Sequence, residues 1–109
     1  MTELRVELPR YEIKYVDGKE VTFYIVMVNV GRRKWKLEQR YNAFSDLDKN
    51  MRATHANMPK LPAKTYFALK AASDIDNRRK ELHHYLQGIV NRPDMRTNPV
   101  FRTFLEIDS

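Results

Sequence analysis

The sequence predicts an α+β domain in which a three-stranded antiparallel sheet is followed by a helical part. Two observations support this. The first forty residues alternate apolar and polar side chains, and later apolar residues recur at helical spacing. The 109 residues correspond to one domain that covers 1–109.

The first strand contains a change of phase. Apolar residues alternate over 4–8, and they resume in the opposite phase over 11–15, after Pro9. This pattern predicts a bulge or an edge strand at the proline. Asp17-Gly18 then predicts a hairpin turn.

Two further strands complete the predicted sheet. Residues 21–30 are apolar on both faces, which is typical of a central, covered strand. Gly31 interrupts the apolar run, and residues 34–39 alternate again.

The helical part has recognisable boundaries. Asn42 is a predicted N-cap for a helix, and a loop containing two prolines follows over residues 58–64. Ser73 and Asp76 have the spacing of a capping box, which predicts a long helix that runs until Pro93. Asn98-Pro99 predicts the start of a short final helix.

The composition excludes several kinds of chemistry. The chain has no cysteine, only three glycines and no Gly-x-Ser-x-Gly motif, so thiolate zinc sites, phosphate-binding glycine loops and hydrolase elbows are excluded. His83 and His84 are adjacent on a helix and point in different directions. We therefore expect no metal, no cofactor and no enzymatic activity.

The net charge of +6 favours an anionic partner, although solvated surface lysines explain it equally well. No run approaches the roughly 20 apolar residues that span a bilayer. Any contact with a membrane is therefore expected to be peripheral.

Arg78 occupies an unusual position. At roughly 100° per residue it falls on the same helical face as Ile75, Leu82, Tyr85 and Ile89, which are expected to form the core. A guanidinium at such a place needs a partner, because desolvating an unpaired charge is costly. One interpretation is that its charged end extends outward to solvent or pairs with a carboxylate such as Glu12 or Glu38. The other places it in a pocket for an anionic or polyhydroxyl ligand.

Two further cations lie at constrained points of the chain. Arg40-Tyr41 joins the third strand to the first helix, and Lys64 ends the proline-containing loop. Together with Arg78 they could converge on a phosphorylated ring, since arginine supplies a planar fork of donors and lysine a compact charge. Tyr41 would offer this ring a flat apolar wall.

Three motifs in order resemble those of the PX (phox-homology) domain family. Residues 40–47, Arg-Tyr-Asn-Ala-Phe-Ser-Asp-Leu, resemble the family's Arg-Tyr-x-x-Phe-x-x-Leu signature. Residues 59–64 resemble its Pro-x-x-Pro loop with a trailing lysine, and residues 78–86 its Arg-x-x-x-Leu-x-x-aromatic-Leu helix. The resemblance spans essentially the whole chain and implies the PX fold.

The resemblance also implies a ligand, phosphatidylinositol 3-phosphate, and a role for each residue. Arg40 would bind the 3-phosphate, and Tyr41 would pack beneath the inositol ring. Lys64 would meet the 1-phosphate, and Arg78 the 4- and 5-hydroxyls. Gln39 departs from the basic residue that many members carry, which puts part of the affinity in doubt.

The segment after Lys64 resembles the family's membrane-insertion loop, with Tyr66, Phe67 and Leu69 as the apolar residues. Aromatic side chains rimmed by lysines can enter the interfacial zone of a membrane. The alternative is that these side chains cap the core. Residues 32–34, Arg-Arg-Lys, are expected to form a solvated turn, with nonspecific attraction to lipid as the alternative.

By this resemblance the chain is a non-enzymatic module, excised from a longer protein, that docks peripherally on the cytosolic face of endosomal membranes. The residues also bear on two other kinds of partner. Pro59-x-x-Pro62 could be a ligand for an SH3 domain. Nucleic acid is not expected, because the basic residues are spread over several elements rather than along one stripe.

Overall fold

The computed structural model describes residues 3–65 and 69–108. Three strands, β1 (Leu4–Val16), β2 (Lys19–Val30) and β3 (Arg33–Gln39), form an antiparallel sheet in the order β1-β2-β3. The helices α1 (Tyr41–Arg52), α2 (Ala72–Val90), α3 (Pro93–Arg96) and α4 (Pro99–Phe104) follow. The predicted α+β architecture is confirmed.

The predicted irregularity of β1 lies at Pro9. The register with β2 shifts between Glu7 and Arg10, so Leu8 is displaced from the regular ladder. Helix α2 bonds the backbone groups that the bulge leaves out of the ladder: the Leu8 amide donates to His83 Nδ1 at 3.1 Å, and Arg79 donates to the Leu8 carbonyl at 2.9 Å. The bulge thus attaches the sheet to α2.

The hairpin turn between β1 and β2 also has the predicted form. Asp17 and Gly18 both have positive φ, 52° and 78°, as a two-residue turn between twisted strands requires.

Two predicted helix caps are wrong. Helix α1 begins at Tyr41 with Arg40 as its N-cap, so Asn42 lies inside the first turn. Helix α2 begins at Ala72, which places Ser73 beyond the cap position, and neither helix has a side-chain cap. Asn98 does cap α4, because its side chain accepts from the Val100 amide at 2.8 Å.

The core lies between the sheet and the helices. The Phe44 ring meets the edges of Tyr24 and Phe104, with ring centroids 6.3 and 5.4 Å away. The hydroxyl of buried Tyr85 donates to Asp48 Oδ1 at 2.8 Å. Within residues 3–65 and 69–108, none of the helices combines the length and apolar character needed to cross a bilayer.

Candidate functional site

A cleft of about 280 Å³ opens where the hairpin of β1 and β2 meets the start of α1, the loop before α2 and the first turns of α2. The structure brings together the four residues that are predicted, from the resemblance to PX domains, to bind a lipid headgroup. All four line the cleft: Arg40, Tyr41, Lys64 and Arg78. That they bind such a headgroup stays a prediction.

Arg40 is held at the junction of sheet and helix. The preceding residue, Gln39, pairs with Tyr24 in the central strand, and the Arg40 carbonyl accepts from the Ala43 amide at 3.0 Å in the first helical turn. Its backbone is therefore fixed on both sides, while its side chain is exposed at the cleft. A guanidinium placed in this way can present its donors to an anion with little loss of backbone freedom.

Arg78 lies over the ring of Tyr41, with its guanidinium carbon 4.3 Å from the ring centroid. It also donates to the Ala63 carbonyl at 3.0 Å. The Tyr41 hydroxyl donates to the Pro62 carbonyl, so both side chains hold the proline-containing loop. Stacking on Tyr41 and the hydrogen bond to Ala63 orient Arg78, and the guanidinium has further donors for a ligand.

The loop that carries Lys64 is braced against α2. Gly88 provides the room: a Cβ at this position would lie 2.7 Å from Pro59 Cγ and 2.9 Å from Pro59 Cβ. Arg52 donates to the Pro59 carbonyl at 3.3 Å, and Arg92 donates to the Asn57 carbonyl. Close packing and four side-chain donors, from Tyr41, Arg52, Arg78 and Arg92, therefore fix the path that leads to Lys64.

The helical face predicted for α2 is confirmed. Ile75, Leu82, Tyr85 and Ile89 are buried, and Arg78 is half-buried at the edge of the same face.

The proposed pairing of Arg78 with Glu12 or Glu38 is wrong. Glu12 pairs with Arg10 at 3.4 Å, and Glu38 with Lys14 at 2.5 Å, both away from the cleft. Among the described residues no carboxylate forms an ion pair with Arg40, Lys64 or Arg78. Their positive charge is therefore available to an external anion.

Two tyrosines near Arg78 have raised pKa values. Burial raises the pKa of the Tyr24 and Tyr41 hydroxyls, and the positive charge of Arg78 acts in the opposite direction. Both side chains are therefore neutral near pH 7, and they add apolar ring surface and hydroxyl groups to the cleft without adding charge.

Sequence reasoning missed several residues of the cleft. Glu20, Thr22 and Tyr24 alternate along β2, and Lys70 follows the proline-containing loop; all four line the cleft. The alternation was visible in the sequence, but which end of the hairpin faces the helices was not.

The residues predicted to enter a membrane have different outcomes. Tyr66 and Phe67 lie outside the described residues. Leu69 is half-buried, packs against the core and also lines the cleft. Of residues 32–34, Arg33 begins β3; its guanidinium carbon lies 4.8 Å from the Trp35 ring centroid, and it donates to the Ile107 carbonyl at 3.2 Å. Arg33 therefore has a structural partner.

Fold and cleft together define a small α+β module with a positively charged cleft. The chain belongs to the PX domain family, whose sequence profile matches residues 27–108. PX domains are phosphoinositide-binding modules that associate with membranes.

Two kinases are similar in sequence to nearly the whole of this chain. The chain is 33% identical over 106 residues to the serine/threonine-protein kinase Sgk3 of Rattus norvegicus, and equally to that of Mus musculus. The match covers 95% of this chain and 21% of each kinase, so the chain spans about a fifth of the length of these curated relatives.

Two solved structures share the fold. A designed CISK-PX domain superposes with a TM-score of 0.83 at 26% identity, over 92% of this chain and 96% of that one. The mouse SNX19 PX domain, solved with a bound sulphate ion, gives a TM-score of 0.71 at 13% identity over 99% and 100%. At that identity the second comparison bears on the fold alone.

Proposed function

We propose that the chain binds the headgroup of phosphatidylinositol 3-phosphate in the cleft. Arg40 binds the 3-phosphate, Tyr41 packs against the inositol ring, Lys64 meets the 1-phosphate and Arg78 bonds the 4- and 5-hydroxyls. One observation carries the proposal: three cations from a strand end, a loop and a helix line one cleft, and no described carboxylate pairs with them.

The chemistry of each group agrees with its proposed partner. Arg40 is exposed and can form a forked pair with a phosphate, whereas Lys64 suits the singly charged phosphodiester as a point charge. Tyr41 and the Ala63 carbonyl already hold the Arg78 guanidinium in one orientation, so its remaining N–H donors have a fixed direction. Hydroxyl groups are suitable acceptors for such donors.

The substitution Arg40→Ala tests the pocket. Charge-assisted hydrogen bonds contribute about 1.5–3 kcal/mol, so we expect binding of vesicles that contain phosphatidylinositol 3-phosphate to weaken by about tenfold to a hundredfold. Arg32→Ala is the matched control, because Arg32 is exposed in the turn between β2 and β3 and its loss changes the net charge equally. Equal binding by Arg40→Ala and wild type would refute the proposed pocket.

We further propose that Tyr66 and Phe67 enter the membrane interface beside the cleft, with Leu69 at the base of the segment. The aromatic sequence between Lys64 and Lys70 supports this proposal. Phe67→Glu is expected to weaken vesicle binding and to leave the affinity for the soluble headgroup, inositol 1,3-bisphosphate, unchanged. An equal loss in both assays would show that Phe67 has a structural role instead.

We also propose a cellular setting. The module acts as a non-enzymatic PX unit of a longer protein and brings it to the cytosolic face of endosomal membranes. The relatives support this proposal, since each is about five times as long as the matched segment. Imaging a fluorescent fusion of wild type and Arg40→Ala tests it, and the expected result is endosomal puncta for wild type alone.

The geometry does not favour the SH3-ligand alternative. Pro62 is buried and its carbonyl accepts from Tyr41, while Pro59 packs against Gly88. An SH3 domain reads exposed prolines in an extended segment, so binding would require the loop to leave α2.

A further inference from the structure

Glu20 is the one carboxylate among the described residues that line the cleft. It lies near the end of the hairpin, directly opposite Tyr15 in the register of β1 and β2. The Tyr15 hydroxyl donates to Glu20 Oε1 at 3.1 Å, which orients the carboxylate. No cation pairs with Glu20 within the described part of the chain.

The strand places Glu20 at the outer end of the cleft. Glu20, Thr22 and Tyr24 share one face of β2, because side chains alternate along a strand. Tyr24 is level with Gln39, the neighbour of Arg40. Glu20 lies four residues further along, at a distance of about 13 Å. Arg40 and Glu20 therefore lie at opposite ends of the cleft, one positive and one negative.

The charges around the cleft match a monophosphorylated headgroup. Arg40, Lys64, Lys70 and Arg78 supply four positive charges, and Glu20 reduces the net charge of the lining to +3. A phosphomonoester carries about −2 and the phosphodiester −1, so the 3-phosphate headgroup brings a charge of about −3. A second phosphomonoester exceeds the positive charge that is available.

We propose that Glu20 is a specificity-determining residue that disfavours headgroups with a second phosphate on the inositol ring. The inference rests on the proposed binding of phosphatidylinositol 3-phosphate. Specificity is a difference between two affinities, and a repulsive contact against the competitor increases it without strengthening the preferred contact. Tyr15 acts as the positioning residue, since its hydroxyl holds the carboxylate in place.

The test compares the soluble headgroups of phosphatidylinositol 3-phosphate, 3,4-bisphosphate and 3,5-bisphosphate by calorimetry. The measured quantity is the ratio of monophosphate to bisphosphate affinity. With Glu20 about 13 Å from the Arg40 end of the cleft, a second ring phosphate lies roughly 7 Å from the carboxylate, where two unit charges in water change binding about threefold. A dianionic phosphate doubles this interaction energy, so we expect Glu20→Gln to reduce the ratio by about threefold to eightfold for at least one bisphosphate.

Asp17→Asn is the matched control. Asp17 lies in the turn of the same β1–β2 hairpin, outside the cleft lining, and asparagine tolerates its positive φ. The control removes one negative charge near Glu20, and we expect it to leave the ratio within about twofold because a solvent-screened charge outside the cleft acts weakly.

The outcomes separate the two proposals. An unchanged ratio in Glu20→Gln, or an equal gain for every headgroup, overturns the role of Glu20 and leaves the proposed function intact. An equal shift in Asp17→Asn also overturns it, because general charge would then be the cause. Failure of the wild type to bind the 3-phosphate headgroup overturns the proposed function and the inference together.

Discussion

Gly88 lets the proline-containing loop pack directly against α2, and its replacement by alanine tests how the cleft is positioned. A Cβ at residue 88 would lie 2.7 Å from Pro59 Cγ and 2.9 Å from Pro59 Cβ. Both atoms belong to a rigid ring, so the loop has to move by several tenths of an ångström or more. Overpacking of this kind costs about 1–3 kcal/mol.

A second effect of the same substitution opposes the first. Alanine is favoured over glycine in a helix interior by about 1 kcal/mol. Gly88→Ala is therefore expected to destabilise the protein by about 0–2 kcal/mol. The decisive measurement is the dependence on residue 59: after Pro59→Gly, which removes both ring carbons, the same change at Gly88 should stabilise by about 0.5–1 kcal/mol.

The assay is urea denaturation of the four proteins in this double-mutant cycle, followed by the fluorescence of the single tryptophan, Trp35. A coupling free energy of about 1–3 kcal/mol is expected. Gly88→Ala should also weaken headgroup binding, because the loop that leads to Lys64 moves while every charge stays. If Gly88→Ala stabilises the protein equally in both backgrounds, the close contact with Pro59 does not constrain the loop.

Two further predictions concern the attachment of α2. Tyr85→Phe removes the buried hydroxyl that donates to Asp48 Oδ1. We expect this change to lower the free energy of unfolding by about 1–2 kcal/mol, as measured by urea denaturation. An unchanged denaturation midpoint would contradict this expectation. The Nδ1 atom of His83 accepts from the Leu8 amide, and burial lowers the pKa of this side chain. Protonation of His83 therefore favours the unfolded chain, because the unfolded chain binds the proton more tightly. We expect the free energy of unfolding to fall as the pH drops below about 6.5. His83→Asn retains an acceptor and should flatten this part of the pH profile, whereas His84→Asn, at an exposed position, should keep it; identical profiles for all three proteins would refute the role of His83.

Local sequence patterns predicted the three strands and the helices α1, α2 and α4 in order, but not the short helix α3, which begins at Pro93. Strand alternation, Asp17-Gly18, Pro9 and Asn98 each act through neighbours a few residues away, and the structure has the turn, bulge and cap that they predict. The two wrong caps, at Asn42 and Ser73, have the same origin. A capping residue in the sequence indicates that a helix begins within about one or two residues of it. The hydrogen bonds of the folded helix decide which residue is the first helical one.

Predicting the cleft residues required both the local sequence pattern and the resemblance to a known family. The helical spacing of α2 placed Arg78 on the core face, and the resemblance to PX domains selected Arg40 and Lys64. The sequence alone left open whether Arg78 pairs with a carboxylate of the sheet. Long-range packing decided this, since Glu12 and Glu38 lie beside other cations.

Glu20 and Gly88 show what only the tertiary structure decided. Nothing in the local sequence pattern distinguishes Glu20 from other exposed glutamates. Likewise, the pattern does not distinguish Gly88 from a glycine that merely lowers the stability of a helix. Their significance arises from contacts between elements far apart in the chain: the hairpin end beside the helices, and Pro59 against α2. The sequence by itself therefore determined the three strands, the helices α1, α2 and α4, the positive charge and the family. The fold determined which charges share a cleft, because that depends on packing across the whole domain.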